Sequence, residues 1–280
     1  MQHNMMINVG CGGTYHADWI NLDVASSDPN VRIIDITRGL PFADDSASVC
    51  YSSHVLEHLD KNKARVLIAE CYRVLKPGAT IRIVVPDLES VMREYLRVLD
   101  LVSTGDASMV PAYEWIMLEL LDQVVRDKPG GEMPKFLQDL KISDRDFVRA
   151  RIGVEAEVFW WPLAAKHTKG KMVARFSKLG FLNLIRNVRL HFAGNMLYLL
   201  GGKTAYAAFK RGLFRASGEV HMWMYDRYSA KKLLESAGFV SVNVCSASES
   251  RIDDFNKYAL DMVDGRIRKP DSLFVEASKP

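Results

Sequence analysis

Gly10, Gly12 and Gly13 stand in the run Ile7-Asn8-Val9-Gly10-Cys11-Gly12-Gly13, and Asp23 and Asp35 follow at the expected ends of the next two strands. Glycine tolerates positive φ and carries no Cβ, so such a turn lets backbone lie directly against a ligand. A carboxylate at the tip of a second strand can accept both hydroxyls of a ribose, as in doubly wound nucleotide-binding folds. A glycine turn alone is a weak signal. Turn, acid and second acid in this order point to a nucleotide-type ligand over the first three strands.

Further along stand Leu40-Pro41-Phe42, Val55-Leu56-Glu57-His58 and Arg73-Val74-Leu75-Lys76-Pro77-Gly78, followed by Ile81-Arg82-Ile83-Val84-Val85-Pro86. In this order and spacing the chain resembles the class I S-adenosylmethionine-dependent methyltransferases, in the branch acting on small molecules. The resemblance spans residues 5–87 and returns at 219–280. It implies an α/β fold: a doubly wound, mainly parallel seven-stranded-type sheet with a large helical insertion after the fifth strand. It also implies S-adenosylmethionine as cofactor, S-adenosylhomocysteine as product, and no metal. The implied cofactor contacts are Asn8, Gly10, Cys11, Gly12, His16, Asp23, Asp35, Ile36, Ser53 and His54. Of these, Asp23 would hold the ribose, Asp35 the adenine amino group, Ile36 the ring face and His16 the carboxylate end. The chain departs from the family pattern in having Asn8 where an acid is usual and Thr14 where the last glycine is usual. Asn8 keeps acceptor capacity without the charge. A nicotinamide site fits less well, because Gly-x-Gly-x-x-Gly opening a full helix is absent.

Methyl transfer is a single displacement, and alignment of nucleophile, carbon and leaving group can supply much of its acceleration. A hydroxyl acceptor also needs a base, most often histidine. His54, just after the fourth strand, and His221 are the two catalytic candidates. His221 lies in Glu219-Val220-His221-Met222-Trp223-Met224-Tyr225-Asp226, where Trp223 and Tyr225 read as acceptor-pocket walls. The plainer alternative for His221 is a core histidine held by Glu219 or Asp226. Asp87, beyond the fifth strand, is the third substrate-binding candidate; its alternative is the cap of the next helix. His54 and His58 share an i, i+4 spacing and one helical face, but a metal site needs a third ligand.

The elements that must position these groups are short apolar runs, expected at 5–9, 19–22, 31–34, 48–53 and 80–85, as suits parallel strands buried on both faces. Only eleven positions separate Gly12 from Asp23, too few for a helix, so Thr14 to Trp19 reads as a loop. Asp60 to Leu75 reads as a helix, as do 88–101 and 113–125. The core resumes with a helix at 229–237 and strands at 241–247 and 272–278. The division is therefore 1–87 for the first part of the core, 88–218 for the insertion and 219–280 for the rest. The connection from Glu249 to Asp271 exceeds ordinary loop length and reads as a second flap.

Hydrophobic residues make up 48% of the 280, ordinary for a globular domain. Cys11, Cys50, Cys71 and Cys245 have no metal spacing and read as buried free thiols. With no segment of signal-peptide or membrane-spanning type, a cytoplasmic protein is expected. The net charge of +3 is uneven: residues 159–218 hold eleven Lys and Arg and no acid. The plain reading is a solvated helical face. The sharper one is a basic, aromatic cap that meets a small-molecule or lipid-linked acceptor and touches an anionic membrane peripherally. Nucleic acid is disfavoured as a partner, since the motif that presents base amines is missing; oligomeric state is not legible. The leading function is methyl transfer to a small, lipid- or sugar-type acceptor, at oxygen or nitrogen. The alternatives are an inactive cofactor-binding module and a nucleic-acid methyltransferase.

Overall fold

The computed structural model describes residues 5–160 and 178–280. Five parallel strands, β1 (Met6–Val9), β2 (Ile20–Asp23), β3 (Val31–Ile33), β4 (Ala47–Ser53) and β5 (Leu75–Pro86), form most of the sheet. β9 (Ser272–Ser278) runs antiparallel to β5 and to its other neighbour β6 (Val240–Cys245), giving the order β3-β2-β1-β4-β5-β9-β6. This is the seven-stranded, mostly parallel sheet that the sequence led us to expect. β7 (Met262–Val263) and β8 (Arg266–Ile267) form a separate small hairpin.

Alternation along each strand sorts side chains to the two faces. On one face Ile7, Cys50, Ile81, Ile83, Leu273 and Val275 pack against α1 (Lys61–Val74) and α8 (Arg227–Ser236), through Leu67, Ile68, Cys71 and Leu234. The Asp60 carboxylate caps α1 by accepting from the Asn62 and Lys63 amides at 3.0 Å. The start of Val55-Leu56-Glu57-His58 is a single 3-10 turn, Leu56–His58, not the first turn of a helix.

The other face is covered differently. Thr14 to Trp19 is a loop, so no helix follows β1, and Trp19, Tyr51, Val84 and Phe274 would lie open. Ala247, Ile252, Phe255, Tyr258 and Leu260 close over them. The long connection read from sequence as a flap is thus a packed cover, because its apolar residues fill the space that a crossover helix leaves vacant.

Arg82 of β5 fixes this cover. It is fully buried, with Nε 2.7 Å from Asp261 Oδ2 and Nη1 2.7 Å from Glu276 Oε1. Its remaining donors reach the Glu249, Ser246 and Ala247 carbonyls at 2.8, 3.2 and 3.3 Å. The Tyr51 hydroxyl donates to Asp261 Oδ1 at 2.5 Å.

After β5 the chain builds a helical layer: α2 (Leu88–Ser103), α3 (Val110–Val125), α4 (Met133–Asp139), α5 (Arg145–Ile152) and α6 (Val154–Trp160). Trp115, Leu137, Leu140, Val148 and Ala156 form its centre. α7 (Lys178–Arg215) follows and breaks at Gly202, φ 70° and ψ −170°. Of the basic aromatic stretch, Trp161, Lys166, Lys169, Lys171, Arg175 and Phe176 lie outside the described residues. Among the described residues no helix is long and apolar enough to cross a membrane.

Removing the Arg82 cation leaves two buried carboxylates unpaired. Breaking such a network costs about 3–5 kcal/mol. Arg82→Met is therefore expected to lower the unfolding free energy by that much, read as a lower urea midpoint at an unchanged slope; wild-type stability in this variant would show that the cover holds without its pin.

Candidate active site

Two cavities open at the carboxyl ends of β1, β4 and β5, where open α/β sheets hold ligands. The first, about 220 Å³, is lined by the glycine turn, by Tyr51, Ser53 and His54 at the end of β4, and by Leu260, Arg268 and Lys269 from the cover. Asn8, Gly10, Cys11 and Gly12 all belong to its wall.

Each part of this turn has a local cause. Gly10 has φ +71°, and a Cβ there would stand 2.3 Å from Val55 Cγ2. Gly12, at φ +53°, faces open space, so its backbone is free to approach a ligand. Asn8 is buried and ties the turn down, its Nδ2 donating to the Thr14 carbonyl at 3.1 Å and to Asn21 Oδ1 at 3.3 Å. Asn8 therefore braces the turn as well as lining it. Burial, then the Asp23 charge, pushes the Cys11 thiol up to about 12, so it stays protonated.

Asp23 stands beside this cavity, just behind the turn. Its Oδ2 accepts from the Gly12 amide at 2.8 Å and its Oδ1 from the Ala25 amide at 3.1 Å. Each carboxylate oxygen has two lone pairs, so acceptor capacity remains. Asp35 caps the turn Ile36–Arg38: Oδ1 accepts from the Thr37 amide and hydroxyl at 3.1 and 2.6 Å, while Oδ2 lies 3.3 Å from Arg38 Nε. The Thr37 hydroxyl holds this carboxyl below the usual range. His16 sits outside the cavity wall, accepting from the Asp18 amide at 3.2 Å and lying edge-on to Tyr258.

The second cavity, about 210 Å³, lies between the sheet ends and the helical layer. Trp115, Met133, Leu137, Ile152 and Phe159 give it apolar walls, while Glu119, Gln123, Arg126 and Asp271 add polar ones. His54, Glu155 and Lys269 belong to both cavities. The two hollows share a wall.

His54 is held in a backbone conformation that few non-glycine residues adopt, φ +54°. Its amide donates to the Val84 carbonyl at 2.9 Å, its Nε2 lies 2.9 Å from Ser272 Oγ, and its Nδ1 lies 3.0 Å from Glu57 Oε1. Burial holds its pKa well below the ordinary value, so the imidazole is neutral near pH 7. Strain of this kind at a cavity junction marks a position fixed by its surroundings.

His221 is placed elsewhere. It is 4% exposed, lies edge-on to His58 at 4.8 Å, and contributes to neither cavity wall. Burial pushes it down to about 3. Its neighbour is Glu57, fully buried and itself raised by burial, whose carbonyl accepts from the Met222 and Trp223 amides at 2.6 and 3.2 Å. Potential ligand atoms of Glu57, His58 and His221 lie within 4.8 Å of one another, so among the described residues this is the one cluster of three that could hold a metal ion. His54 is not part of it. Its positive φ turns it toward the cavities, so the i, i+4 spacing to His58 does not put both rings on one helical face.

Trp223 and Tyr225 line a third hollow with Lys61 and Arg65, and Lys61 Nζ sits 3.5 Å over the Trp223 ring. Asp87 caps α2, accepting from the Glu89 amide at 3.0 Å, and faces a fourth hollow with Arg93 and Arg227. None of these three meets His54 across a shared cavity.

The residues that sequence reasoning missed are Glu155, Lys269 and Asp271. No motif marks them; the only pointer was the length of the connection that carries two of them. Asp271 is half-buried, with its Oδ1 buried and lacking a hydrogen-bond partner. Burial first, then the Glu119 charge, pushes its carboxyl up to about 7, against the opposing pull of Lys269 and Arg151.

No curated protein sequence matches the chain. Among solved structures, an S-adenosylmethionine-dependent methyltransferase from Archaeoglobus fulgidus is similar at 12% identity and TM-score 0.39, over 99% of this chain and 86% of that one. A chain of the complex between the Haloferax volcanii Trm112 activator and its methyltransferase is similar at 11% identity and TM-score 0.37, over 100% and 84%. Geranyl diphosphate C-methyltransferase from Streptomyces coelicolor, solved with Mg²⁺, geranyl diphosphate and S-adenosylhomocysteine, is similar at 15% and 0.23, over 29% and 37%. Residues 7–83 match the family model described as a methyltransferase domain. They hold the glycine turn, β1 to β4 and most of β5, so this part of the chain is similar to a methyltransferase domain.

Proposed function

We propose that the enzyme methylates an oxygen or nitrogen of a small or sugar-like acceptor, which sits in the second cavity while the cofactor occupies the first. The observation that carries this reading is the wall common to both hollows, made by His54, Glu155 and Lys269. A transfer across that wall needs only the alignment that two fixed sites provide. At about 210 Å³ the second cavity is below the usual range of ~300–1,000 Å³ for drug-sized ligands, which favours a single ring or a terminal sugar.

Gly10 and Gly12 fit the cofactor: one has no room for a Cβ and the other leaves its backbone open. Asp23, which accepts from the Gly12 amide of the turn at 2.8 Å, is the ribose acceptor, and Asn8 and Ser53 complete the cradle. When bound, S-adenosylmethionine supplies the methyl group as a sulfonium cation. A neutral His54 beside it adds no repulsion. Asp271 is the better base of the two: a carboxyl near 7 is matched to neutral pH, whereas His54 is depressed and its Nε2 is hydrogen-bonded to Ser272. An acceptor hydroxyl in the second cavity would give its proton to Asp271, and Trp115 and Leu137 would exclude water.

Asp23→Ala is expected to weaken S-adenosylhomocysteine binding by about 1.5–3 kcal/mol, the worth of a charged hydrogen bond, as read by calorimetry. Unchanged affinity would remove Asp23 from the cofactor site.

Asp271→Asn is expected to cut turnover about 10²–10⁴-fold at constant cofactor affinity, measured as S-adenosylhomocysteine release over a panel of sugars, phenols and amines. In the wild type the rate should climb with pH through about 7 and then level, and the variant should lose that limb. Stability gives a reading that needs no acceptor. Unfolded, the carboxyl ionises near ~3.9, while folded it keeps its proton to about 7. The folded state binds more protons in that window, so stability falls as pH rises through it. Asp271→Asn should flatten that decline; an identical pH slope would mean that Asp271 titrates normally.

A further inference from the structure

The break at Gly202 turns α7 into two arms that pack on each other. A Cβ at Gly194 would lie 3.1 Å from Tyr206 and 3.5 Å from Phe209, and the Tyr198 and Tyr206 rings are edge-on at 5.9 Å. The first arm therefore spends its Gly194–Tyr198 face on the second arm. Its opposite face carries Val188, Phe192, Met196, Leu199 and Leu200, at i, i+4, i+8, i+11 and i+12, which is one helical stripe. That stripe is uncovered: these side chains are 61%, 67%, 43%, 77% and 81% exposed. Large apolar side chains gathered on one exposed face mark a surface that something else covers.

The charges say what. Between Arg189 and Lys210 the only charged residue is Lys203, and residues 159–218 contain no acid. A second copy laid stripe to stripe would bring Arg189 and Lys203 against their own kind with no carboxylate to offset them. An anionic lipid surface complements both features at once.

We propose that the α7 hairpin is a membrane-docking element. It lies in the interfacial plane of an anionic bilayer, with the Val188–Leu200 stripe sunk at the boundary between headgroups and acyl chains, and Arg189 and Lys203 on the headgroups. Such helices bury their apolar face by roughly 5–10 Å, and at 1.5 Å per residue the stripe is roughly 18 Å long, enough to lie flat and too short to span. The docking is a property of the hairpin and does not depend on which acceptor is methylated.

Co-sedimentation of the full chain with phosphatidylserine–phosphatidylcholine vesicles tests it. Binding is expected at low salt, with little to phosphatidylcholine alone and release as salt rises, since screening weakens the headgroup contacts. The double variant Leu199→Ser, Leu200→Ser should bind at least about tenfold less, and Arg189→Ala with Lys203→Ala should lose the preference for anionic vesicles. Unchanged circular dichroism and thermal unfolding in these variants exclude misfolding. Failure of the wild type to bind anionic vesicles at low salt overturns the proposal. So does vesicle binding that survives the Leu variant. A concentration-dependent dimer abolished by the same two changes also overturns it and assigns the stripe to a second copy.

Discussion

The candidate site depends on one buried guanidinium. Arg82 sits on β5, between β4 and β9, and its partners Asp261 and Glu276 come from the cover and from β9. Every donor on its side chain is used, three of them on carbonyls of residues 246–249 that would otherwise face the sheet without partners. Burying a charge is costly unless pairing and hydrogen bonding are complete. Here they are complete, which fixes the path of the cover. The cover then delivers Leu260, Arg268 and Lys269 to the first cavity, and Lys269 and Asp271 to the second. A displaced cover would open both hollows.

The short link between β1 and β2 explains why such a pin is needed. Eleven residues cannot hold a crossover helix, so one sheet face has no local covering. The molecule covers it with chain from the far end of the sequence, tied by Arg82, by Tyr51 to Asp261, and by Trp19 edge-on to Tyr258 and Phe255. This also explains which parts were legible in the sequence. The strands and α1 are written locally, as apolar runs, caps and turn residues, and they lie within a residue or two of the expected positions apart from β5, which begins at Leu75. The glycine turn was legible because positive φ and lack of space leave little choice of residue at Gly10. The cover was not, because its pairing partners are more than a hundred residues away.

The carboxylates show the same limit on a smaller scale. Asp23, Asp35 and Asp87 all stood at strand ends, as ligand-binding acids would, and all three accept from the amide two residues on. A sequence cannot distinguish a cap from a contact when both need an acid after a strand. Asp271 carries no motif at all, and only its burial near Glu119 sets it apart. Among the histidines, spacing gave His54 and His58 one face, whereas the strained φ at His54 separates them. Burial then makes His54 a neutral wall between the cavities and His221 part of a closed cluster with Glu57 and His58.

The hairpin is not remote from this arrangement. At its base Arg215 Nη1 reaches the Val124 carbonyl of α3 at 3.4 Å, and four residues later Glu219 Oε1 accepts from the Gly130 amide at 2.7 Å. Gly130 lines the second cavity, as does Arg126, which pairs with both Asp122 and Glu219. Next, the His221 amide donates to the Gln123 carbonyl, and the Met222 and Trp223 amides clamp the carbonyl of Glu57, whose Oε1 lies 3.0 Å from His54 Nδ1. Chain leaving α7 is thus fixed to the rim of the second cavity and to the support of its shared wall within eight residues of Arg215.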